Sequence, residues 1–376
     1  MPMPTANPRP IRIHRRRSAS GSRIGLALLV AILASGELAC TAPTSPDGTA
    51  ARWTRTSLPG GKRRLEPAVA ASGTRLVIAG GFSTSLPEGL EITDEVLALD
   101  TLATNTPTGG WTKLPRLPVR WHHGALAASA GALYLLGGFE GPNADARGES
   151  FVLELGATEW TPLPAMPDLQ ARGGAGVVTV PGHIYLLGGS NRSGPLASCL
   201  DFDLIDRTWS PLMHAVEGAQ VPVVLPTPRS HVAAMQSEDG SLVIAGGLDD
   251  ANRALGDTYR LPLGASVWEL RAPMTNRGGC AYGVAFGSLV CAGGEIDDTV
   301  ASVVERYDPR SAPGSPADEW SALPELPEPR GGTQGAVIGG SLYVPGGSKT
   351  RTFEPTSTLF VLSLEGTVAM RALGPS

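Results

Sequence analysis

Six times along this chain an apolar stretch closes on a double glycine: LVIAGG to Gly81, LYLLGG to Gly138, IYLLGG to Gly189, LVIAGG to Gly247, LVCAGG to Gly294 and LYVPGG to Gly347. Successive first glycines lie 57, 51, 58, 47 and 53 residues apart. A short run of small residues stands ahead of each stretch, for example GGAGVVTV from Gly173, and a tight turn such as Pro181-Gly182 separates the two. That pattern predicts a β-hairpin in every unit. A third strand follows after a loop of variable length, as in VLALD ending at Asp100, FVLEL at 151–155, CLDFDL at 199–204 and VVERYD at 303–308. A fourth opens on tryptophan, at Trp111, Trp160, Trp209, Trp268 and Trp320. Four short strands in about 50 residues describe one blade of a β-propeller.

Each unit also carries an arginine 16 or 17 residues ahead of its double glycine: Arg64, Arg120, Arg172, Arg229, Arg277 and Arg330. With double glycine, arginine and tryptophan in fixed order six times, residues 53–373 resemble the kelch-repeat family. The resemblance implies an all-β, six-bladed propeller with four antiparallel strands per blade, occupying 53–376. Glycine admits close backbone approach, and tryptophan fills the gap between blades. Ring closure has two candidates. Trp53, in RWTRTSLP, is a fourth-strand signature ahead of the first full unit, while the strand at 367–373 (VAMRAL, with Met370 in the tryptophan slot) could serve instead.

Composition supports many short strands and turns around an ample core, with 48 Gly and 33 Pro beside 42% hydrophobic residues. The first 39 residues read differently. Arg15, Arg16 and Arg17 precede an apolar run from Ile24 to Ala34, which is too short to cross a bilayer and reads as an export signal. Leu38-Ala39-Cys40 resembles the end of a bacterial lipoprotein signal, with Cys40 as the lipidated residue; Glu37 departs from that pattern, and plain cleavage near Ala39 is the alternative. Residues 40–52 then form a tether. The expectation is a monomer in the bacterial cell envelope, at the periplasm or outer membrane, or secreted, touching membrane only through lipid. Loss of residues 1–39, with six arginines and one glutamate, moves the net charge from −5 to −10, which disfavours nucleic acid as a partner.

Of the cysteines, Cys280 and Cys291 fall on neighbouring strands of one hairpin, in diagonal positions about 7–8 Å apart and so beyond disulfide reach. Together with Cys199 they are expected as buried small apolar residues.

The candidate chemistry lies at the entrance to each blade. Six arginines there would ring one mouth of the channel, and in kelch domains that capture acidic peptides the matching arginines contact ligand carboxylates, which suit the guanidinium fork. The competing expectation is a structural set, paired with carboxylates and loop carbonyls. His122 and His231 stand at the same mouth. Convergent imidazoles could hold a metal, but His122 and His123 are adjacent on a strand and should face opposite sides, so neither a metal nor a cofactor is expected. Acid pairs at Asp249-Asp250 and Asp297-Asp298 form no calcium loop. Galactose oxidase shares kelch-like blades but needs histidines this chain does not cluster, and no catalytic residue is assigned. The expected function is binding of a protein, peptide or glycan ligand, anionic in character. The alternative is an epimerase or mutarotase acting on an acidic sugar such as sialic acid, implied by likeness to a six-bladed periplasmic enzyme.

Overall fold

The computed structural model describes residues 51–364 apart from 85–89, 104, 107, 316–317 and 353. The export signal, Cys40 and the 367–373 strand lie outside the described residues.

Six antiparallel blade sheets follow one another along the chain, five of them four-stranded and that of blade 2 five-stranded through the short added strand Trp121–His122. From inner to outer strand, blade 1 is Ala68–Ser72, Arg75–Ala79, Val96–Asp100 and Trp111–Leu114. Blade 2 runs Ala125–Ser129, Ala132–Glu140, Asp145–Glu154 and Thr161–Leu163, and blade 3 Gly176–Val180, His183–Leu187, Cys199–Asp203 and Thr208–Pro211. Blade 4 has Ala233–Gln236, Leu242–Ala245, Thr258–Leu261 and Glu269–Arg271; blade 5 has Ala281–Ala285, Ser288–Ala292, Val304–Tyr307 and Trp320–Ala322. Blade 6 takes Ala336–Ile338, Ser341–Pro345 and Thr358–Ser363 from the C-terminal side. Its outer strand is Arg52–Ser57, with Trp53 opposite Leu362. The ring is therefore closed by the N-terminal candidate strand.

The core is divided among the seams between blades. Alternation along a strand sends Leu133 and Leu135 toward blade 1, where they meet Val77, Val96 and Ala98, and sends Tyr134 and Leu136 toward Ile184 and Leu200 of blade 3. A further seam joins Leu359 of blade 6 to Ile78 and Leu97 of blade 1. Complete burial of a side chain such as Leu135 contributes about 1.5–3 kcal/mol. No blade can cover both of its faces alone, so the stack stabilises as a ring.

The tryptophans add a directional bond to this packing. Trp160 Nε1 donates to Pro115 O at 3.0 Å, Trp209 to Pro164 O at 3.0 Å and Trp268 to Val224 O at 2.8 Å. Trp320 donates to Thr258 Oγ1 at 2.9 Å, and Trp53 reaches Pro324 O of blade 5 at 2.8 Å. Each indole thus fills apolar space and ties its blade to the preceding one.

One cysteine expectation is corrected. Cys280 and Cys291 form a disulfide with Cα atoms 5.6 Å apart. The ladder of this hairpin ends at the Ala281–Ala292 pair, and Gly279 and Gly293 flank it with φ of 62° and 65°. Cys280 lies one residue beyond the last pair, where diagonal spacing within a regular ladder no longer applies. Cys199 is a buried free thiol, as expected, with its pKa pushed up to about 12 by burial.

Candidate functional site

Blade entrances carry two residue sets with different fates. Arg64, Arg172, Arg229, Arg277 and Arg330 are each at most 1% exposed. Arg172 donates to the carbonyls of Gln170, Gly188 and Ser198 at 2.8–2.9 Å. Arg229 Nη1 bonds Gly246 O at 3.0 Å, and its Nη2 lies 3.5 Å from Asp257. Arg64 pairs with Glu95 at 2.5 Å, Arg277 with Glu305 at 2.5 Å and Arg330 with Glu328 at 2.9 Å. Burial lowers the pKa of all five, that of Arg172 to about 10. None of them lines the axial cavity.

Arg120 is different, being 61% exposed and 3.4 Å from Glu91. Backbone bonds show why. In four pairs the second glycine donates to the carbonyl of the next blade's arginine, as in Gly189 N to Arg229 O and Gly247 N to Arg277 O, both at 3.0 Å. In blade 2 the acceptor is Trp121 O, bonded by Gly81 N at 2.8 Å. Trp121, buried in the seam with blade 1, occupies the arginine slot, and Arg120 stands one residue ahead of it. The first glycines cannot be replaced without strain, since a Cβ on Gly246 would meet Arg277 O at 2.5 Å.

Just past these slots six segments of the chain, one from each blade, meet around the axis. Glu66 N donates to Gly332 O at 2.7 Å, His123 N to Glu66 O at 3.0 Å and Gly174 N to His123 O at 3.0 Å. His231 N then donates to Gly174 O at 2.7 Å, and Gly279 N to His231 O at 2.8 Å. All six residues have left-handed backbone, with φ of 54°, 54°, 62°, 55°, 62° and 64° from Glu66 to Gly332. Three blades meet this demand with glycine. The other three hold Glu66, His123 and His231 there, a conformation that costs an L-residue roughly 1–2 kcal/mol.

These three side chains converge. Glu66 Oε2 lies 3.1 Å from His123 Nε2, the rings of His123 and His231 meet edge to face at 5.1 Å, and one ligating atom from each residue falls within 4.8 Å of the others. The φ of His123 breaks strand alternation, so that it reaches the axis. His122 remains buried in the wall between Phe82 and Phe139, with ring centroids at 4.4 and 5.7 Å, and bonds Gly141 O at 3.0 Å. Burial lowers the pKa of His123 to about 3 and that of His122 to about 4; it also lowers His231, and it raises Glu66. Of the residues anticipated from sequence, His231 reaches the axis. His123 was set aside by strand alternation, and Glu66 was missed; the readable signal was its place two residues after Arg64, matching Gly174, His231, Gly279 and Gly332 in four other blades.

The cluster forms one end of an axial cavity of about 490 Å³. Its walls are the innermost strands, mostly Ala, Val and Gly, and they lead to the exposed Thr179, Pro181 and Val284 at the hairpin turns. Tyr282 OH crosses from blade 5 to accept from Val177 N of blade 3 at 2.8 Å, and Gln334 bridges Val69 N and Gly124 O at 3.0 Å each. Glu295, paired with Arg351, lies beside Glu66 on the same cavity.

The chain is 28% identical over 298 residues to Kelch-like protein terF of Aspergillus terreus, a match covering 76% of this chain and 61% of that protein. It is 31% identical over 140 residues to human Kelch-like protein 33, covering 36% and 25%. The chain thus spans less than two thirds of the length of these curated relatives. The solved structure of YjhT is alike in fold, with a TM-score of 0.63 at 15% identity over 79% of this chain and 94% of its own. The domain family described as KLHDC2/KLHL20/DRC7 Kelch-repeats matches residues 66–278, more than half of the sequence, and this chain belongs to the kelch-repeat family.

Proposed function

We propose that this propeller is a binding module that takes a peptide segment of a protein partner at the hairpin-side mouth of its axial cavity. The observation that carries the reading is the cavity itself: about 490 Å³, walled largely by small apolar side chains and opening at the exposed Val284. Kelch propellers commonly bind proteins. A glycan needs many hydrogen-bond partners along its path, and Ala, Val and Gly walls supply few, so a peptide with an apolar anchor suits this mouth better. An acidic ligand is not part of this reading, because Arg120, the arginine of the set left at the surface, stands at the entrance end of its blade and does not line the cavity. In the same proposal residues 1–39 are an export signal and Cys40 the lipidated residue, which mass spectrometry of the mature N-terminus tests.

Selection of a displayed random peptide library on the purified chain tests the site. Enriched peptides should carry an apolar anchor and bind Val284→Asp at least about tenfold more weakly, the effect of losing one buried apolar contact. Enrichment of peptides indifferent to Val284→Asp, or no enrichment at all, would overturn the reading.

A further inference from the structure

We propose that Glu66, His123 and His231 form a binding site for a divalent transition metal, Zn²⁺ or its close analogues, on the propeller axis. Two imidazoles and one carboxylate are a donor set that zinc accepts, and they leave a fourth tetrahedral position on the side of the cavity they line. At metal–ligand distances near 2.0–2.1 Å, tetrahedral donors stand about 3.3 Å apart. The 3.1 Å between Glu66 Oε2 and His123 Nε2 already meets that spacing, and the third donor lies within 4.8 Å.

The hydrogen-bond chain behind the cluster fixes which lone pairs face it. Gly141 O can only accept, so the Nε2 of His122 that bonds it carries a hydrogen. The Nδ1 of His122 then accepts, and its partner, Nδ1 of His123, donates. His123 therefore presents an unprotonated Nε2 to Glu66, and a lone pair faces a carboxylate oxygen. Either a proton or a cation must sit between them. This is also the arrangement by which a ligating imidazole is oriented through its second nitrogen. Ser230 Oγ holds Nδ1 of His231 at 2.9 Å in the same manner, leaving Nε2 as the other nitrogen.

The second, independent observation is backbone strain. At six equivalent positions demanding left-handed φ, three blades use glycine, and the three that do not are those whose side chains converge. Strained conformations of this kind persist where the side chain has a role.

The test does not depend on the partner reading, because its readout is metal content. Purified full-length chain, loaded with Zn²⁺ and dialysed against metal-free buffer, should retain one Zn²⁺ per chain by plasma mass spectrometry, and its Co²⁺ form should show the visible bands of a four-coordinate site. E66G, H123G and H231G place at each position the residue that other blades carry, so the fold should survive. Each should weaken Zn²⁺ at least about tenfold, and the triple variant should retain none. H231N is a second variant, since asparagine adopts left-handed backbone readily. Its Zn²⁺ affinity should fall as that of H231G does. Wild-type chain that retains no Zn²⁺, or equal retention by wild type and triple variant, would overturn the proposal.

Discussion

Arg229 and His231 stand two residues apart at the entrance to blade 4 yet belong to different parts of the molecule. The arginine belt has its terminal guanidinium donors aimed at carbonyls and carboxylates of their own blades, and its residues are nearly inaccessible. The axial ring is reached from the cavity, and at three positions it bears side chains that its backbone conformation does not favour. The first set offsets most of its desolvation with hydrogen bonds and ties the entrance of each blade to that blade's own strands and loops. The second retains left-handed backbone at three non-glycine residues whose polar side chains converge on the axis. Repetition alone therefore does not mark a site here; departure from the repeat does.

The largest expected effect breaks the belt. Arg277→Ala removes the partner of Glu305 and the donor to Cys291 O, and loss of one member of a buried pair costs about 3–5 kcal/mol. Urea unfolding should show that loss, whereas Arg120→Ala, at an exposed pair, should stay within about 0.5 kcal/mol of wild type. Similar effects at the two arginines would erase the distinction between belt and surface.

Acidification sharpens the comparison from the other side. His123 titrates near 3 when folded against an ordinary value of 6.5, so the unfolded chain binds the proton first. The stability this residue allows is present above pH 6.5 and is lost as the pH falls toward 3. Glu66 and Glu295, raised by burial, act oppositely: the folded chain holds their protons longer, and stability from them is lost as the pH rises above 4.5. Comparing wild type with His123→Gly isolates the imidazole. In metal-free protein the difference in unfolding free energy should move in the variant's favour on acidification, by about 1.4 kcal/mol per pH unit between pH 6.5 and 3. A difference independent of pH would mean that His123 is not held neutral by burial.

The smallest effect concerns strain. His231→Gly in metal-free protein relieves a left-handed residue but adds chain entropy to the unfolded state, so stability should remain within about 1 kcal/mol of wild type. A loss of several kcal/mol in thermal unfolding would instead give His231 a place in the frame.

Much of this architecture was legible because repetition multiplies weak signals. One apolar stretch before a double glycine is ambiguous, whereas six in register with Trp160, Trp209 and their counterparts specify blades and their order. The site was less legible. An arginine at a spacing of 16 or 17 looked uniform, but Trp121 occupies the blade 2 slot and expels Arg120, a one-residue shift that is plain only once Gly81 N is seen to bond Trp121 O. Cys280 and Cys291 were judged by ladder geometry that ends one residue too soon.

The sequence by itself determined the number of blades, the four strands in each and the residues that seal the seams, because periodic side-chain patterns act locally and in every copy. Only the tertiary structure decided which chain end closes the ring, which polar residues are enclosed and which meet on the axis. Glu66, His123 and His231 lie 57 and 108 residues apart in sequence, and it is the circular closure of six sheets that brings them within ligand distance.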